Sequence, residues 1–559
     1  MEENNMEMTG YNKKIDLSSY GYDIVTAVTK KTIDAFFFNL LRKRSFPQMS
    51  KYYLWKKDSG CNFYIDEATE EETEGISRFH LFDIPSRASK RTEEQKNRIK
   101  EAFAAYPIAC MFQCIPFISS KWLERHLPSD LIHLNGLDQK LNVAVQFPLD
   151  DMIIICANPS GADSFNIYLE SESDYGSWNY MVLGCLEGSY LDSDTMFSLT
   201  HLMNNFVLDS VRLDEWDPVK PDQPQYFIYL DFIFDCFKQV FKSEKSAFTQ
   251  GIRLDMAKPT DLKFSMTKHS DLHPELETLN YIVMCDNHVM PPIKPFNWIW
   301  VNENEAKYTH GVMAVSQNYN YKMAARLYDY SIRQMLIAAC PSVYEKFGIL
   351  YMRVKYDKAP VGLIEFGSKG LYKYFEEKSI QRNFQGHNID FSAAYHNDIA
   401  LQYYIREGSP IIVYEFVAHI HVDLDIKSVG EAKGTVYDLN VKAQFIGKPD
   451  KSGSYTFKAI ISTSPNAPAD PFKADDDFLN YLSKGNREQI INILLTDTNK
   501  YMNEIVNNMC GAFKVDYSNK DLHFPAKSSF HISTGGLSSG KDAVFNAYYP
   551  GAQTLEDQQ

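Results

Sequence analysis

The stretch IIVYEFVAHIHVDLDIK, Ile411 to Lys427, decides the architecture. Successive side chains of an extended strand point to opposite faces. Ile412, Tyr414, Phe416, Ala418, Ile420, Val422, Leu424 and Ile426 therefore share one face, which is apolar throughout. Glu415, His419, His421, Asp423, Asp425 and Lys427 fall on the other. Such alternation marks a half-buried antiparallel strand with one wet side. At about 3.3 Å per residue, Ile412 to Ile426 spans roughly 50 Å, against a usual strand of about 5–6 residues. Burying the apolar set contributes on the order of 10–20 kcal/mol before chain entropy is subtracted. Something equally long has to cover it: helices, a second sheet, or a bound apolar ligand.

Working outward, Tyr437, Leu439, Val441, Ala443 and Phe445 alternate in the same way, as do Tyr455, Phe457, Ala459 and Ile461. With turns expected at 428–434 and 447–454, these make a meander of three long strands. After them, Ile491, Leu494, Leu495, Tyr501, Met502, Ile505 and Met509 recur at helical spacing and predict a long helix over 487–512, ended at Gly511. Phe530 and Ile532 fit a closing strand followed by a glycine turn.

A matching helix is expected near the start, over 20–43. Ile24, Val25, Val28, Ile33, Phe36, Phe37, Leu40 and Leu41 form its stripe, and Arg42, Lys43 and Arg44 suit its negative pole. From Leu141 the period changes to two, predicting strands at 141–147, 152–156 and 165–169. Met196, Leu199, Met203, Phe206 and Val207 predict a short helix, and the Pro-rich WDPVKPDQP at 216–224 is the best linker signal. Leu230, Ile233, Phe234, Phe237 and Phe241 then predict another helix. FNWIWV at 296–301 alternates like a strand, and 320–340 reads as a helix stopped by Pro341. The acidic run at 66–75 and the charged helix opening near Thr92 read as solvated surface.

Composition removes several classes. With 44% apolar and 14% aromatic residues the chain folds, and a net charge of −15 argues against nucleic-acid binding. Its nine cysteines carry no CxxC pair and read as reduced, mostly buried thiols of a protein made in the cytosol. MEENNMEMTG is not a signal peptide, and no apolar run is long enough to span a bilayer. The expected location is cytoplasmic, or outside the cell after release without a standard signal.

The pattern is an α+β protein in which long, highly curved antiparallel sheets wrap long helices. We divide it at the linker into an amino-terminal half, 14–220, and a carboxy-terminal half, 221–550, with flexible tails at 1–13 and 553–559. Two helices leave part of each apolar face uncovered, and the remainder makes a groove suited to acyl chains. Candidate groove residues are Val28, Phe36, Phe37, Leu40, Tyr414, Phe416, Ile420, Val422, Leu494, Tyr501 and Ile505.

LSSYGYDIVTAVTKKTIDAFF at 17–37 resembles the YGWD-type amino-terminal motif of the clostridial OrfX and P-47 proteins, accessory proteins of neurotoxin gene clusters with a TULIP (tubular lipid-binding) fold. Tyr22 stands where that family carries Trp. LIHLNGLDQKLNVAVQFP at 131–148 is similar to the turn and strand that follow there, with Asn135-Gly136 in place of Gly-Gly. The end of the chain, from 487–512 through FPAKSSFHISTGGL at 524–537, looks like the closing helix and strand of the same fold. The resemblance implies an elongated tubular sheet, no catalysis and no cofactor. It also implies binding of lipids, phosphoinositides or partner proteins of a toxin complex.

Two chemical readings compete with it. His419, His421, Asp423 and Asp425 could ligate zinc and serve a metal-dependent hydrolase. The plainer reading, the wet face of an exposed strand, is preferred because the sequence places no other His/Cys cluster to complete a closed site. GGLSSGK at 535–541 mimics a phosphate-binding loop, but Asp542 stands where Ser or Thr should hold magnesium and would repel phosphate, so a glycine turn is expected. No GxSxG, HExxH, EF-hand or dinucleotide motif is present. The alternative outside lipid binding is an assembly protein with a filled core that binds a protein partner in a toxin or virulence complex.

Overall fold

The computed structural model describes residues 12–321 (interrupted at 43–45, 61, 86–87, 138–139, 160–164, 172–177, 189–204, 214–218, 220 and 244–258), 370–474 (interrupted at 385–386, 407–408, 429, 450–453, 469 and 472), 522–523 and 531–549. Three antiparallel sheets carry the described chain. The amino-terminal sheet runs Phe63–Glu67, Met49–Lys57, Ile108–Pro116, Lys140–Pro159, Trp178–Leu186, Phe206–Leu213. The carboxy-terminal sheet runs Gly370–Phe384, His387–Ile405, Ile412–Ser428, Gly430–Pro449, Ser454–Pro465, Leu522–His523. Between them a central sheet interleaves remote parts of the chain: Pro259–Thr267, Thr278–Cys285, Ile24–Thr29, Gly311–Val315, Ala543–Tyr548, His531–Leu537.

The deciding stretch is one unbroken strand, Ile412–Ser428, in register with both neighbours. That register aligns the apolar sets of adjacent strands. Tyr414 lies opposite Tyr403 and Phe445, Phe416 opposite Leu401 and Ala443, Ala418 opposite Ile399 and Val441, and Val422 opposite Tyr395 and Tyr437. The glycine-containing segment expected as a turn at 428–434 is strand instead. The hairpin closes tightly at Ser428/Gly430, and Gly434 is absorbed beside a bulge opposite Val422/Asp423.

The helix expected over 20–43 begins only at Lys30, since Ile24–Thr29 is a strand in the middle of the central sheet. All six of its residues are buried. A strand covered on both faces loses its period of two, and IVTAVT could then be mistaken for part of a helical stripe. The β-branched residues were the discriminating signal. The strands expected at 141–147 and 152–156 are one strand, Lys140–Pro159, in which Asp151 adopts φ 49°. Its first part pairs with Ile132–Leu137 and Trp178–Leu186, its second with Ile108–Pro116 and Phe165–Ser171.

Phe206 and Val207, expected in a helix, open the strand Phe206–Leu213, which bonds along Trp178–Leu186. FNWIWV is an irregular segment with no ladder partner. Its alternation survives as burial, with Phe296, Trp298 and Trp300 packed on the outer side of the central sheet. The helix expected at 320–340 is described only to Tyr321, and the helix at 487–512 lies outside the described residues. The helix Tyr226–Ser243 is present, and it packs on strands from the other side of the 216–224 linker. One buried apolar cluster runs from Phe37 and Phe112 through Tyr281 and Phe545 to Tyr414 and Phe445, so all three sheets share a core.

Candidate functional site

Helix Lys30–Arg42 is nearly all buried, which suits a stripe widened to three consecutive phenylalanines, Phe36 to Phe38. The groove candidates Val28, Phe36, Phe37 and Leu40 are therefore core residues, each less than a tenth exposed and in the shared cluster. Phe36 meets the ring of Tyr549 at 6.1 Å.

The amino-terminal sheet is likewise filled, by helix Tyr226–Ser243. Phe112 stacks on Phe232 at 5.2 Å and meets Tyr229 at 5.8 Å, while Phe237 meets Phe147 at 5.3 Å and Phe206 at 5.8 Å. The Tyr180 and Tyr229 hydroxyls share a hydrogen bond of 2.6 Å, satisfying two buried polar groups. At the rim Lys51 reaches Asp235 at 2.9 Å. The aromatic spacing found this helix, but nothing in the sequence tied it to the earlier strands.

The carboxy-terminal sheet carries four consecutive strands of 15–20 residues. Ile412, Tyr414, Ala443 and Phe445 are buried where this sheet joins the shared core. Phe416, Ile420 and Val422 keep their places on the ladder, but their side chains lie outside the described residues, as do Leu494, Tyr501 and Ile505 altogether. On the opposite face Glu415 is buried and accepts hydrogen bonds from Lys442 at 2.8 Å and Gln444 at 2.6 Å.

On that face His419 Nε2 lies 2.7 Å from Asp438 Oδ1, which also accepts from the Asn466 amide at 3.1 Å. Asp438 comes from the next strand, a partner the alternation alone did not supply. The side chains of His421, Asp423 and Asp425 lie outside the described residues. Among the described residues no group of three metal-ligating side chains comes together.

The YGYD motif acts as a clasp. Asp16 caps the turn Leu17–Tyr20, and Gly21 closes it at φ 76°, a left-handed conformation that favours glycine. Tyr20 donates to the Pro295 carbonyl at 3.2 Å, and Tyr22 accepts from the Lys294 amide at 3.2 Å. Asp23 is buried, accepts from the Cys285 amide at 2.9 Å and meets His288 Nδ1 at 2.9 Å. The rings of Tyr20 and Tyr22 pack on Phe296. The tyrosine at position 22 thus supplies both an aromatic face and a hydrogen-bond acceptor.

The GGLSSGK segment is a hairpin. The ladder runs through Gly535 and Gly536 to Leu537, and the turn lies at Ser538–Asp542. Asp542, which the sequence marks as wrong for a phosphate loop, is instead a junction. It is fully buried, and its two oxygens accept from the Leu17 amide at 2.6 Å and the Gln317 amide at 2.9 Å. Burial, with a smaller contribution from Asp16, pushes its carboxyl up to about 6 against those two hydrogen bonds. A carboxyl whose folded value exceeds its unfolded one stabilises the fold fully below the unfolded value and loses that contribution as pH rises through the folded one. The stability of Asp542→Asn relative to the parent should therefore change between about pH 4 and 6, by up to about 3 kcal/mol. Denaturant titrations across that window check it, and parallel pH profiles for the two proteins would remove the assignment.

These features define a class: an α+β protein whose long curled antiparallel sheets pack around helices. The structure is similar to P47 of Clostridium botulinum E1, at 9% identity and a TM-score of 0.31 over 95% of this chain and 99% of that one. It is also similar to a lipopolysaccharide binding protein, at 9% identity and a TM-score of 0.27 over 94% of this chain and 98% of that one. No family model matches the chain, and no curated protein matches it. No helix among the described residues is long and apolar enough to cross a membrane.

Proposed function

We propose that the chain is a non-enzymatic binding protein of TULIP type. In this reading it holds a lipid or another hydrophobic ligand along the apolar face of its carboxy-terminal sheet, in the setting of a toxin-cluster accessory protein. The observation that carries the reading is the register. Apolar positions of His387–Ile405, Ile412–Ser428 and Gly430–Pro449 stand side by side on most rungs, Asn397 opposite Ile420 excepted, over strands of 17–20 residues. The amino-terminal sheet, covered by helix Tyr226–Ser243 from beyond the linker, serves as the rigid body. The YGYD clasp supports the same family reading. A charged headgroup, phosphoinositide included, would sit outside the sleeve, because burying an unpaired charge costs several kcal/mol or more.

Mild purification followed by native mass spectrometry and lipid extraction tests this. A co-purifying apolar ligand is expected, and Val422→Glu, which puts a charge among the apolar positions of that ladder, should lower the retained amount about tenfold while helix content by circular dichroism is kept. A folded protein that neither retains nor takes up lipid would instead be an assembly protein with a filled core, recognised by a protein partner. The ring contacts under helix Tyr226–Ser243 favour that second reading for the amino-terminal half taken alone.

A further inference from the structure

We propose that Cys114 and Cys236 form an oxidation-dependent staple that locks helix Tyr226–Ser243 onto the amino-terminal sheet. Cys114 lies on strand Ile108–Pro116, Cys236 on the helix, and their Sγ atoms are 3.6 Å apart although the residues are 122 positions apart in sequence. Both are buried, at 0% and 2% exposure. Closing that gap to the sulfur–sulfur bonding distance of about 2.0 Å is the movement the staple requires. The contact is flanked by the strongest packing of the helix, Phe232 on Phe112 and Phe237 on Phe147, which holds the two thiols in place.

The chemistry is exchange with a low-molecular-weight disulfide. The thiolate of one cysteine attacks the reagent's sulfur, giving a mixed disulfide and one released thiolate. The second cysteine then displaces the other half. One protein disulfide forms, the reagent disulfide is reduced to two thiols, and the two cysteine protons end on them. Burial raises the Cys114 thiol well above its ordinary value, with Cys236 adding to the effect. The closed protein is therefore slow to react, and oxidation proceeds through transient lifting of the helix. In a reducing compartment the helix is held by non-covalent contacts alone. In an oxidising one the closed loop is long, which is where a cross-link restricts the unfolded chain most.

The test incubates the native full-length chain with oxidised glutathione, then blocks free thiols and digests for mass spectrometry. The expected product is the peptide pair containing Cys114 and Cys236, with a melting temperature raised by roughly 2–4 °C and restored by dithiothreitol. Cys236→Ala and Cys114→Ala should each abolish both effects while binding retained by the carboxy-terminal sheet is unchanged. Cys110 and Cys156, directly opposite each other on adjacent strands, are an internal control. Cross-linking of that pair instead, absence of the Cys114–Cys236 peptide, or its formation without a rise in melting temperature overturns the staple.

Discussion

Lys30→Met should lower stability by about 3–5 kcal/mol, the usual consequence of removing one partner of a buried ion pair. Lys30 Nζ meets Asp34 Oδ2 at 2.7 Å one helical turn on, and side-chain exposures are only 10% and 1%. The same ammonium donates to the Ser129 carbonyl. Asp34 Oδ1 accepts from the Ile132 amide at 2.8 Å, so this carboxylate ties the first long helix to the strand Ile132–Leu137. Methionine fills much of the lysine's volume but leaves a carboxylate uncompensated in the core. The double variant Lys30→Met, Asp34→Leu should recover part of the loss. Recovery stays incomplete because the Ile132 amide then lacks its acceptor. Equilibrium denaturation of the parent, both single variants and the double variant gives the coupling energy. A single-variant loss below about 1 kcal/mol would mean the pair is solvated, contrary to its burial.

Phe112→Ala should cost about 3–5 kcal/mol by leaving a cavity under helix Tyr226–Ser243. Phe112 is fully buried at the centre of the ring cluster, with Tyr53 at 6.0 Å in addition to Tyr229 and Phe232. Because the loss falls on the face that seats the helix, its effect should be local before it is global. Hydrogen exchange is expected to accelerate at the amides of 229–240 while those of Ile24–Thr29 in the central sheet remain protected. Uniform acceleration across both would show that the helix and the central sheet open as one unit. The same variant should speed formation of the Cys114–Cys236 disulfide, since lifting of the helix precedes it.

Element types were readable where a long run keeps one clear period. The alternation from Ile412 to Ile426, the ribbons at 437–445 and 455–461, and the stripe from Leu230 to Phe241 each keep a clear period, and each is found as expected. The reading failed where both faces are buried or where an alternating run has no ladder partner. Ile24–Thr29 and FNWIWV are covered on both sides or lie without a ladder, and periodicity then carries little information about conformation. The glycines at 428–434 suggested a turn, yet a bulge absorbs the extra residue without interrupting the strand.

Site assignment divided in the same way. Choosing Val28, Phe36, Phe37 and Leu40 as groove residues assumed that an apolar stripe exceeding its visible cover stays open. Tyr549 meets Phe36, and all four belong to the buried cluster that the three sheets share, so these side chains are core. Asp542 drew notice only as a residue wrong for a phosphate loop. Its role depends on amides at Leu17 and Gln317, which no local pattern brings together. Asp438, the partner of His419, belongs to the next strand and was likewise beyond the reach of alternation.

What the sequence determined by itself was the length and sidedness of the ribbons, because alternation along a strand is a property of the backbone and needs no partner. What only the tertiary structure decided was which apolar faces are filled, and that the central sheet is assembled from both ends and the middle of the chain. Burial is a relation between surfaces. Ile24–Thr29 finds its neighbours at 278–285 and 311–315, and nothing within six residues can encode that choice.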